Sequence, residues 1–385
     1  MRRARLLISA PFMTFSLISL VRMSMREECT RWPMHGFGVM TSASLAVHTI
    51  GQALAQARGL TPKHAVKPID RLLSNGGVPV WALLEHWVPY GVGARSEILV
   101  ALDGTDFADD GQVTMALHWV TSHGRATPLV WKTVRKSELK GWRHRYEDEV
   151  RARFAETLPA GVRVTVLVDR GFFDHRWLEA LQTDWGFEYV IRRRRNLHVT
   201  AATGETRPVA PWVGPGGRAR TLRDAAVTGE PYPVATVVCV PAKGMKEPWC
   251  GVASDPEAKA RELVNHYAKR GTIEPSFRDT QDWRFGLGMS STHTQSAARR
   301  DRLWWLSAFA IALLTLLGAA GERLGYDRLL KANTVKRRTH SLFRQGCLLY
   351  DRIPNRPEQR LRPLMQRFAK LLLQQPTFNQ VFGFI

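Results

Sequence analysis

The segment EILVALD, residues 97–103, decides the fold of this chain. It is a continuous apolar run that ends in a carboxylate, which is typical of a strand buried on both faces. Two further apolar segments follow it, VTMALHWV (113–120) and TPLVWKTV (127–134), and both read as strands. The sequence therefore predicts a meander of three strands at the centre of the chain.

Helices and strands alternate beyond this meander. An amphipathic helix is predicted over 142–158, a fourth strand, VTVLVD, over 164–169, a short helix around 175–181, and a fifth strand, FEYVIRR, over 187–193. The order β-β-β-α-β-α-β resembles the ribonuclease-H-like fold of polynucleotidyl transferases. We expect an α/β protein with a ribonuclease-H-like catalytic core.

The flanking segments differ in composition from this core. Upstream, apolar residues recur at helical spacing, with basic residues that suit either DNA contact or a solvated helix face. Downstream, a segment rich in Gly, Pro, Val and Thr predicts a β-rich insertion, after which helical patterns return. The expected organisation is a leader (1–40), a helical N-terminal DNA-binding region (41–95), the first part of the core (96–195), the β-rich insertion (196–254), the second part of the core (255–325) and a basic C-terminal region (326–385).

Charge and apolar runs limit the classes of partner. The chain has 55 Lys and Arg against 34 Asp and Glu, a formal charge of +21, which indicates a polyanionic partner: nucleic acid first, an anionic membrane surface second. The apolar run 6–20 resembles a signal peptide, or it precedes the true start of translation. The run 303–321 is just long enough to span a bilayer, but we favour a buried core helix. The four cysteines lack any C-x-x-C spacing, so we expect reduced thiols.

Two aspartates stand at strand ends. Asp103 is predicted to close the first strand and Asp169 the fourth, which places both at the carboxyl edge of the sheet, on strands that are neighbours in a ribonuclease-H-like fold. Cleavage of DNA without a covalent enzyme intermediate requires an activated oxygen nucleophile, and two Mg²⁺ ions about 4 Å apart activate it. Converging carboxylates are the ligands that Mg²⁺ prefers. Asp106, Asp109 and Asp110 are expected on a solvated hairpin beyond Asp103.

A third acidic motif lies in YAKRGTIEPSFRDTQDW, residues 267–283. This segment resembles the Y-x2-R-x3-E-x6-K signature of DDE-type transposases of the insertion-sequence-four-like group, with Tyr267, Arg270 and Glu274 on its first three positions. ALDGTDF and VLVDRGFFD are similar to the first and second acidic motifs of that group. The resemblance implies catalysis of DNA cleavage and strand transfer, with Asp103, Asp169 and Glu274 as ligands of two Mg²⁺ ions, for which Mn²⁺ can substitute, and with Tyr267 and Arg270 assisting.

The sequence departs from the group in two places. The final lysine of the signature is Gln281, and Gly271 replaces the aromatic residue that is common after the arginine. A catalytically inactive DNA-binding relic is therefore the alternative function, and a basic membrane-associated protein is a further one. Pro275 predicts a helix break near Gly271, with Thr272 as N-cap and the proline in the first turn, where its missing N–H is tolerated.

Clusters of basic residues are candidate DNA contacts. One follows the fifth strand and the other lies in the C-terminal region, and solvated surface is the alternative for both. They comprise Arg192, Arg193, Arg194 and Arg195, and Lys336, Arg337 and Arg338. Trp212 and Trp249 could stack on an unpaired base, although a structural role is favoured. The resemblance also implies double-stranded DNA partners (terminal inverted repeats and target DNA), a homodimer on DNA, and a cytoplasmic location at the bacterial nucleoid without stable membrane association.

Overall fold

A computed structural model describes residues 31–77, 79–168, 175–193, 198–214, 218–227, 232–241 and 249–373. Most of the expected leader (1–40) lies outside this part of the chain. Its described part, 31–40, is helical and belongs to α1 (Arg31–Ser42), which the sequence did not predict. The predicted helical region contains α2 (Val47–Arg58), α3 (Pro62–Ser74) and α4 (Val80–Val92).

The centre of the chain has the predicted order of elements. The strands are β1 (Glu97–Phe107), β2 (Gln112–Val120), β3 (Ala126–Arg135), β4 (Arg163–Val168) and β5 (Glu188–Arg193). The helices are α5 (Lys136–Leu139) and α6 (Arg143–Thr157) before β4, and α7 (His175–Thr183) before β5. The strands pair in the order β3-β2-β1-β4-β5; β1 is antiparallel to β2 and parallel to β4, which is parallel to β5. This mixed α/β sheet is consistent with a ribonuclease-H-like domain.

The first strand is longer than the sequence pattern predicted. Asp103 does not close β1 but lies within it, opposite Ala116 of β2. The antiparallel ladder with β2 continues to the end of β1, whereas the parallel ladder with β4 ends at the pair Ala101 and Leu167. Asp103 therefore stands just past the last paired residue on the β4 side, while β2 still holds its backbone.

The segment predicted as a β-rich insertion continues the same sheet. Its strands are β6 (His198–Thr200), β7 (Thr206–Pro208), β8 (Arg220–Val227), β9 (Tyr232–Val240) and β10 (Trp249–Ala253). They extend the sheet from β5 in the order β10-β9-β8-β6-β7, through antiparallel pairs. The register places the buried thiols of Cys239 and Cys250 opposite each other, a proximity that their separation in sequence did not indicate.

The C-terminal half is helical. Its helices are α8 (Ala260–Arg270), α9 (Ile273–Gln281), α10 (Ala297–Arg323), α11 (Leu342–Asp351) and α12 (Glu358–Leu373). Among the described residues, α10 is the one helix long and apolar enough to cross a membrane, but most of its apolar stretch is buried inside the protein. The run 303–321 is thus a core helix in the structure, as predicted, and it packs against α1, β3, α11 and α12.

One acidic residue of the first hairpin is buried, contrary to the expectation of a solvated cluster. The carboxylate of Asp110 forms an ion pair with the guanidinium of Arg300, and these side chains are 2% and 0% exposed. Arg300 also donates to Oε1 of Gln112 at 2.7 Å. The basic residue needs a counter-charge because it enters the core in the first turn of α10. Asp106 and Asp109 are exposed, as predicted.

Two glycines allow α10 and α11 to touch through their backbones. A Cβ added to Gly318 would lie 1.9 Å from the carbonyl oxygen of Leu342, and one added to Gly346 would lie 1.8 Å from that of Leu314. Real Cβ atoms do not approach backbone oxygens so closely, so any side chain here would force the helices apart.

We therefore predict that Gly346→Ala lowers the free energy of unfolding by about 3 kcal/mol or more, because overpacking a backbone contact cannot be relieved by a rotamer change. Gly76→Ala is the matched control, since a Cβ there meets no atom within 4 Å. Urea denaturation of both variants measures the difference. Equal stability of the two variants would contradict the helix contact.

Candidate active site

An ion pair joins two of the predicted site residues. Nη2 of Arg270, the last residue of α8, donates to Oδ2 of Asp103 at 2.9 Å. The Oδ1 atom of Asp103 accepts the backbone N–H of Gly104 at 2.8 Å. The Arg270 side chain is 10% exposed and that of Asp103 is 24% exposed. Because both groups are largely withdrawn from water, this charge-assisted bond fixes the carboxylate more firmly than a surface pair would.

A second polar contact attaches the same helical segment to the same strand. Nε2 of Gln281, the last residue of α9, donates to Oγ1 of Thr105 at 2.8 Å. Thr105 is two residues after Asp103, so both side chains lie on one face of β1. Glu274 is located between the two attachments, four residues after Arg270 and seven before Gln281. The chain carrying Glu274 is therefore fastened to β1 on both sides of the glutamate.

The helix break predicted near Gly271 is present. Helix α8 ends at Arg270 and α9 begins at Ile273, with Gly271 and Thr272 at φ −57°, ψ −9° and φ −73°, ψ −14°. Pro275 is the third residue of α9, where its missing N–H is tolerated. Thr272 occupies the N-cap position as expected, but its hydroxyl donates to the carbonyl oxygen of Lys269 at 2.8 Å and accepts no amide of α9.

Two polar contacts attach α9 to the start of β3 and the turn that precedes it. The hydroxyl oxygen of Ser276 accepts the backbone N–H of Ala126 at 2.7 Å, and the carboxylate of Asp279 forms an ion pair with Arg125. Burial raises the pKa of Asp279, and the Arg125 guanidinium opposes that rise. These contacts could not be predicted from the sequence, because they depend on tertiary pairing and no local pattern signals them.

A histidine beneath α9 is part of the core and not a candidate base. The ring of His118 meets that of Phe277 edge to face, with centroids 4.9 Å apart. Burial lowers the pKa of His118 to about 3, so the ring is neutral at physiological pH. Its role is to pack β2 against α9.

Of the other predicted catalytic residues, the structure describes Glu274 and Tyr267 but not Asp169. The side chain of Glu274 is exposed and makes no hydrogen bond or ion pair with another described side chain. Tyr267 is half-buried on α8, one turn before Arg270, and packs against the hydrophobic core. Asp169 lies outside the described residues, but the register pairs Leu167, two residues before it, with Ala101, two residues before Asp103.

No group of three His, Cys, Asp or Glu side chains within the described ranges is arranged to hold a metal ion. The described carboxylates among the predicted ligands, Asp103 and Glu274, are hard oxygen donors with access to solvent, which is the donor chemistry that Mg²⁺ prefers. The donor chemistry of Asp103 and Glu274 therefore fits a magnesium ion.

The basic clusters are only partly described. Arg192 lies within β5, opposite Gly251 of β10, and is half-buried. The side chain of Arg193 and all of Arg194 and Arg195 lie outside the described residues. In the C-terminal cluster, Arg338 donates to both carboxylate oxygens of Glu322, at 2.7 and 2.6 Å, whereas Lys336 and Arg337 are exposed.

The fold and a family comparison together indicate the class of this protein. A sheet with this strand order and an acid–arginine pair at the point where β4 stops pairing is consistent with the ribonuclease-H-like class. Residues 135–313 match the family model of the transposase DDE domain, which supports a DDE transposase. The matched residues extend from the end of β3 to the middle of α10 and include Arg270 and Glu274. No curated protein matches the chain.

The Asp103 and Arg270 side chains are expected to show a coupling free energy of about 1 to 3 kcal/mol in a double-mutant cycle of Asp103→Asn and Arg270→Gln. The reason is that each single change leaves one partly desolvated charge without its partner. Urea denaturation of the four proteins measures the coupling. Additivity within about 0.3 kcal/mol would show that the ion pair does not form in solution.

Proposed function

We propose that this protein is a transposase of the insertion-sequence-four-like group, which cleaves DNA at the ends of its element and joins them to target DNA. The observation that carries the proposal is the match of residues 135–313 to the transposase DDE domain. The attachment of Arg270 to Asp103 supports it, because the first and third acidic motifs then belong to one site.

The proposed ligands of two Mg²⁺ ions are Asp103, Asp169 and Glu274, with Mn²⁺ as a substitute. When bound, divalent ions lower the pKa of an attacking water or 3′ hydroxyl and neutralise charge on the phosphate. Arg270 holds one oxygen of Asp103 and so fixes the orientation of that carboxylate. Tyr267, one turn earlier on α8, is proposed to assist at the same site.

Gln281 supports an alternative, the inactive DNA-binding relic. The hydrogen bond from its side-chain amide to Thr105 keeps the geometry of the segment. A neutral amide supplies no positive charge for a phosphate. A lysine at this position would add a point charge beside the same strand. The two functions share DNA binding and differ only in cleavage, so a cleavage assay separates them.

The proposed partners are double-stranded DNA, both the terminal inverted repeats and the target, and a second copy of the chain on the DNA. The formal charge of +21 supports the first, with Lys336 and Arg337 as exposed candidate phosphate contacts. We propose a cytoplasmic location at the nucleoid, because the substrate is chromosomal DNA.

Binding to duplex DNA should weaken steeply with salt, since log affinity falls with log salt by about 0.9 per phosphate neutralised. The double variant Lys336→Ala with Arg337→Ala should reduce that slope by roughly one to two units. Arg163→Ala is the control, because Arg163 forms an ion pair with Glu97. Fluorescence anisotropy at salt concentrations from about 50 to 300 mM measures the slope of log affinity against log salt. A flat salt response in the unaltered protein would contradict DNA binding through a basic surface.

Asp103→Asn, Asp169→Asn and Glu274→Gln should each reduce metal-dependent cleavage by about 100-fold or more while DNA binding survives, because each removes a charge that a hard cation requires. Combining two of them should add little, since the ligands act as a unit. The assay is strand cleavage on DNA carrying the terminal repeats that flank the gene, with Mg²⁺ or Mn²⁺.

Asp106→Asn is the matched control, because Asp106 lies on the same strand but pairs with Lys136 at the surface. Cleavage that survives Asp169→Asn and is lost in Asp106→Asn would show that the ligands are wrongly assigned. Absence of cleavage by the unaltered protein would favour the inactive relic, and Gln281→Lys would then test whether the missing charge restores activity.

A further inference from the structure

The loop that follows α9 exposes two aromatic rings. Trp283 and Phe285 are 69% and 61% exposed, the highest values among the large hydrophobic residues that the structure describes. Between them, Arg284 places its guanidinium carbon 5.1 Å from the centroid of the Trp283 ring. An exposed Trp-Arg-Phe sequence combines apolar stacking faces with a positive charge, which is the composition of surfaces that bind unpaired nucleotides.

The exposure of these rings is imposed by a well-anchored loop. Oδ1 of Asp282 accepts the backbone N–H groups of Arg284 and Phe285 at 2.7 and 2.8 Å, and the carbonyl oxygen of Asp282 accepts that of Gly286 at 3.1 Å. A Cβ on Gly286 would lie 2.2 Å from the carbonyl oxygen of Asp279, so the loop follows α9 too closely for any side chain there.

The far end of the loop is held equally firmly. The N–H of Leu287 donates to the carbonyl oxygen of Asp279 and its own carbonyl oxygen accepts the N–H of Leu45, both at 2.8 Å. Leu287 itself is buried, and Gly288 adopts φ +74°, a conformation that favours glycine. With both ends fixed, burying the two rings within the chain would require breaking these bonds.

The loop also begins next to the candidate active site. Trp283 is two residues after Gln281, which bonds to Thr105 of β1, and Thr105 is two residues after Asp103. No flexible linker separates the aromatic rings from the strand that carries the first proposed metal ligand. A DNA strand held for cleavage at Asp103 and Glu274 would have its nearest nucleotides within reach of this loop.

We propose that Trp283, Arg284 and Phe285 form a stacking platform for an unstacked base of the DNA strand beside the cleavage point. This inference rests on the proposed function and adds a preference for unpaired DNA. A polyanion is favoured as the occupant of this loop because Arg284 places a positive charge beside the Trp283 ring, in a protein with a formal charge of +21. Trp212, a candidate from the sequence, is excluded because it is buried and donates to the carbonyl oxygen of Val199 at 3.2 Å.

The test compares two DNA duplexes of the same sequence, one fully paired and one with three terminal nucleotides left unpaired. Binding is measured in EDTA on the Glu274→Gln background, so that neither metal nor cleavage enters the result. The unaltered loop should bind the unpaired duplex more tightly. Trp283→Ala with Phe285→Ala should lose about 10-fold or more in that affinity, since it removes both faces on which a base can stack, and should change the affinity for paired DNA less than about twofold.

Two further variants make the result specific. Trp142→Ala removes another exposed tryptophan, 58% exposed and outside this loop, and should leave both affinities unchanged. Trp283→Phe with Phe285→Tyr keeps the aromatic faces and should retain the preference. A 2-aminopurine base at the unpaired end should be quenched by the parent protein and not by the alanine variant.

Several outcomes would overturn the platform. They are equal affinity of the parent protein for the two duplexes, equal loss of both affinities in the alanine variant, or the same loss in Trp142→Ala. A change of the alanine variant from dimer to monomer in sedimentation, with its preference for unpaired DNA intact, would instead assign the loop to contacts between copies. Failure of the proposed function is recognised separately, as lack of cleavage in Mg²⁺ whatever the DNA-binding preference.

Discussion

The burial of α10 is the constraint on which the rest of the structure depends. Its central stretch, 303–321, contains no charged residue, so the helix is stable in water only when other elements cover it on every side. The covering elements come from both ends of the chain and from the sheet: α1, α11, α12 and β3. Gly36 of α1 lies so close that a Cβ would enter the ring of Phe309. The N-terminal helices therefore share one hydrophobic core with the sheet, although the sequence divided them into separate regions.

The candidate site uses a different kind of attachment. Its acidic strand and its acidic helix are joined by two polar contacts, Arg270 to Asp103 and Gln281 to Thr105, and not by apolar packing at the site itself. Apolar packing and buried hydrogen bonds occur instead between α9 and the hairpin of β2 and β3. This division leaves the carboxylate of Glu274 exposed while the backbone that carries it is fixed. Preorganisation of this kind suits the proposed reaction, because it lowers the cost of ordering the site when a charged substrate binds.

The order of strands and helices along the central part of the chain could be predicted from the sequence, because each strand is a continuous apolar run and each helix has a clear period. The extent of β1 could not be predicted, because pairing with β2 holds residues 103–107 in strand conformation. Polar residues after an apolar run predict a turn when only the local sequence is considered. Asp110 was wrongly expected in solvent because its partner, Arg300, is distant in the chain. In each case the deciding interaction is tertiary.

The site showed the same limit. The resemblance to a family signature selected Tyr267, Arg270 and Glu274, and Pro275 predicted the break near Gly271. The partner of Arg270, the bond of Gln281 and the exposure of Trp283 all depend on how that segment meets β1. The sequence shows which residues are polar or aromatic, but it does not show whether the folded chain buries them.

The way the sheet ends at β7 has a consequence for the behaviour of the molecule in concentrated solution. A sheet extended strand by strand through antiparallel pairs offers its last backbone edge to any other chain that can add a further strand. Here the outermost strand, Thr206–Pro208, is three residues long and exposed at every residue, and its final residue has no N–H to donate. Edge-to-edge stacking of molecules into fibrils is disfavoured at this position, because a foreign strand would find too few hydrogen bonds to hold it.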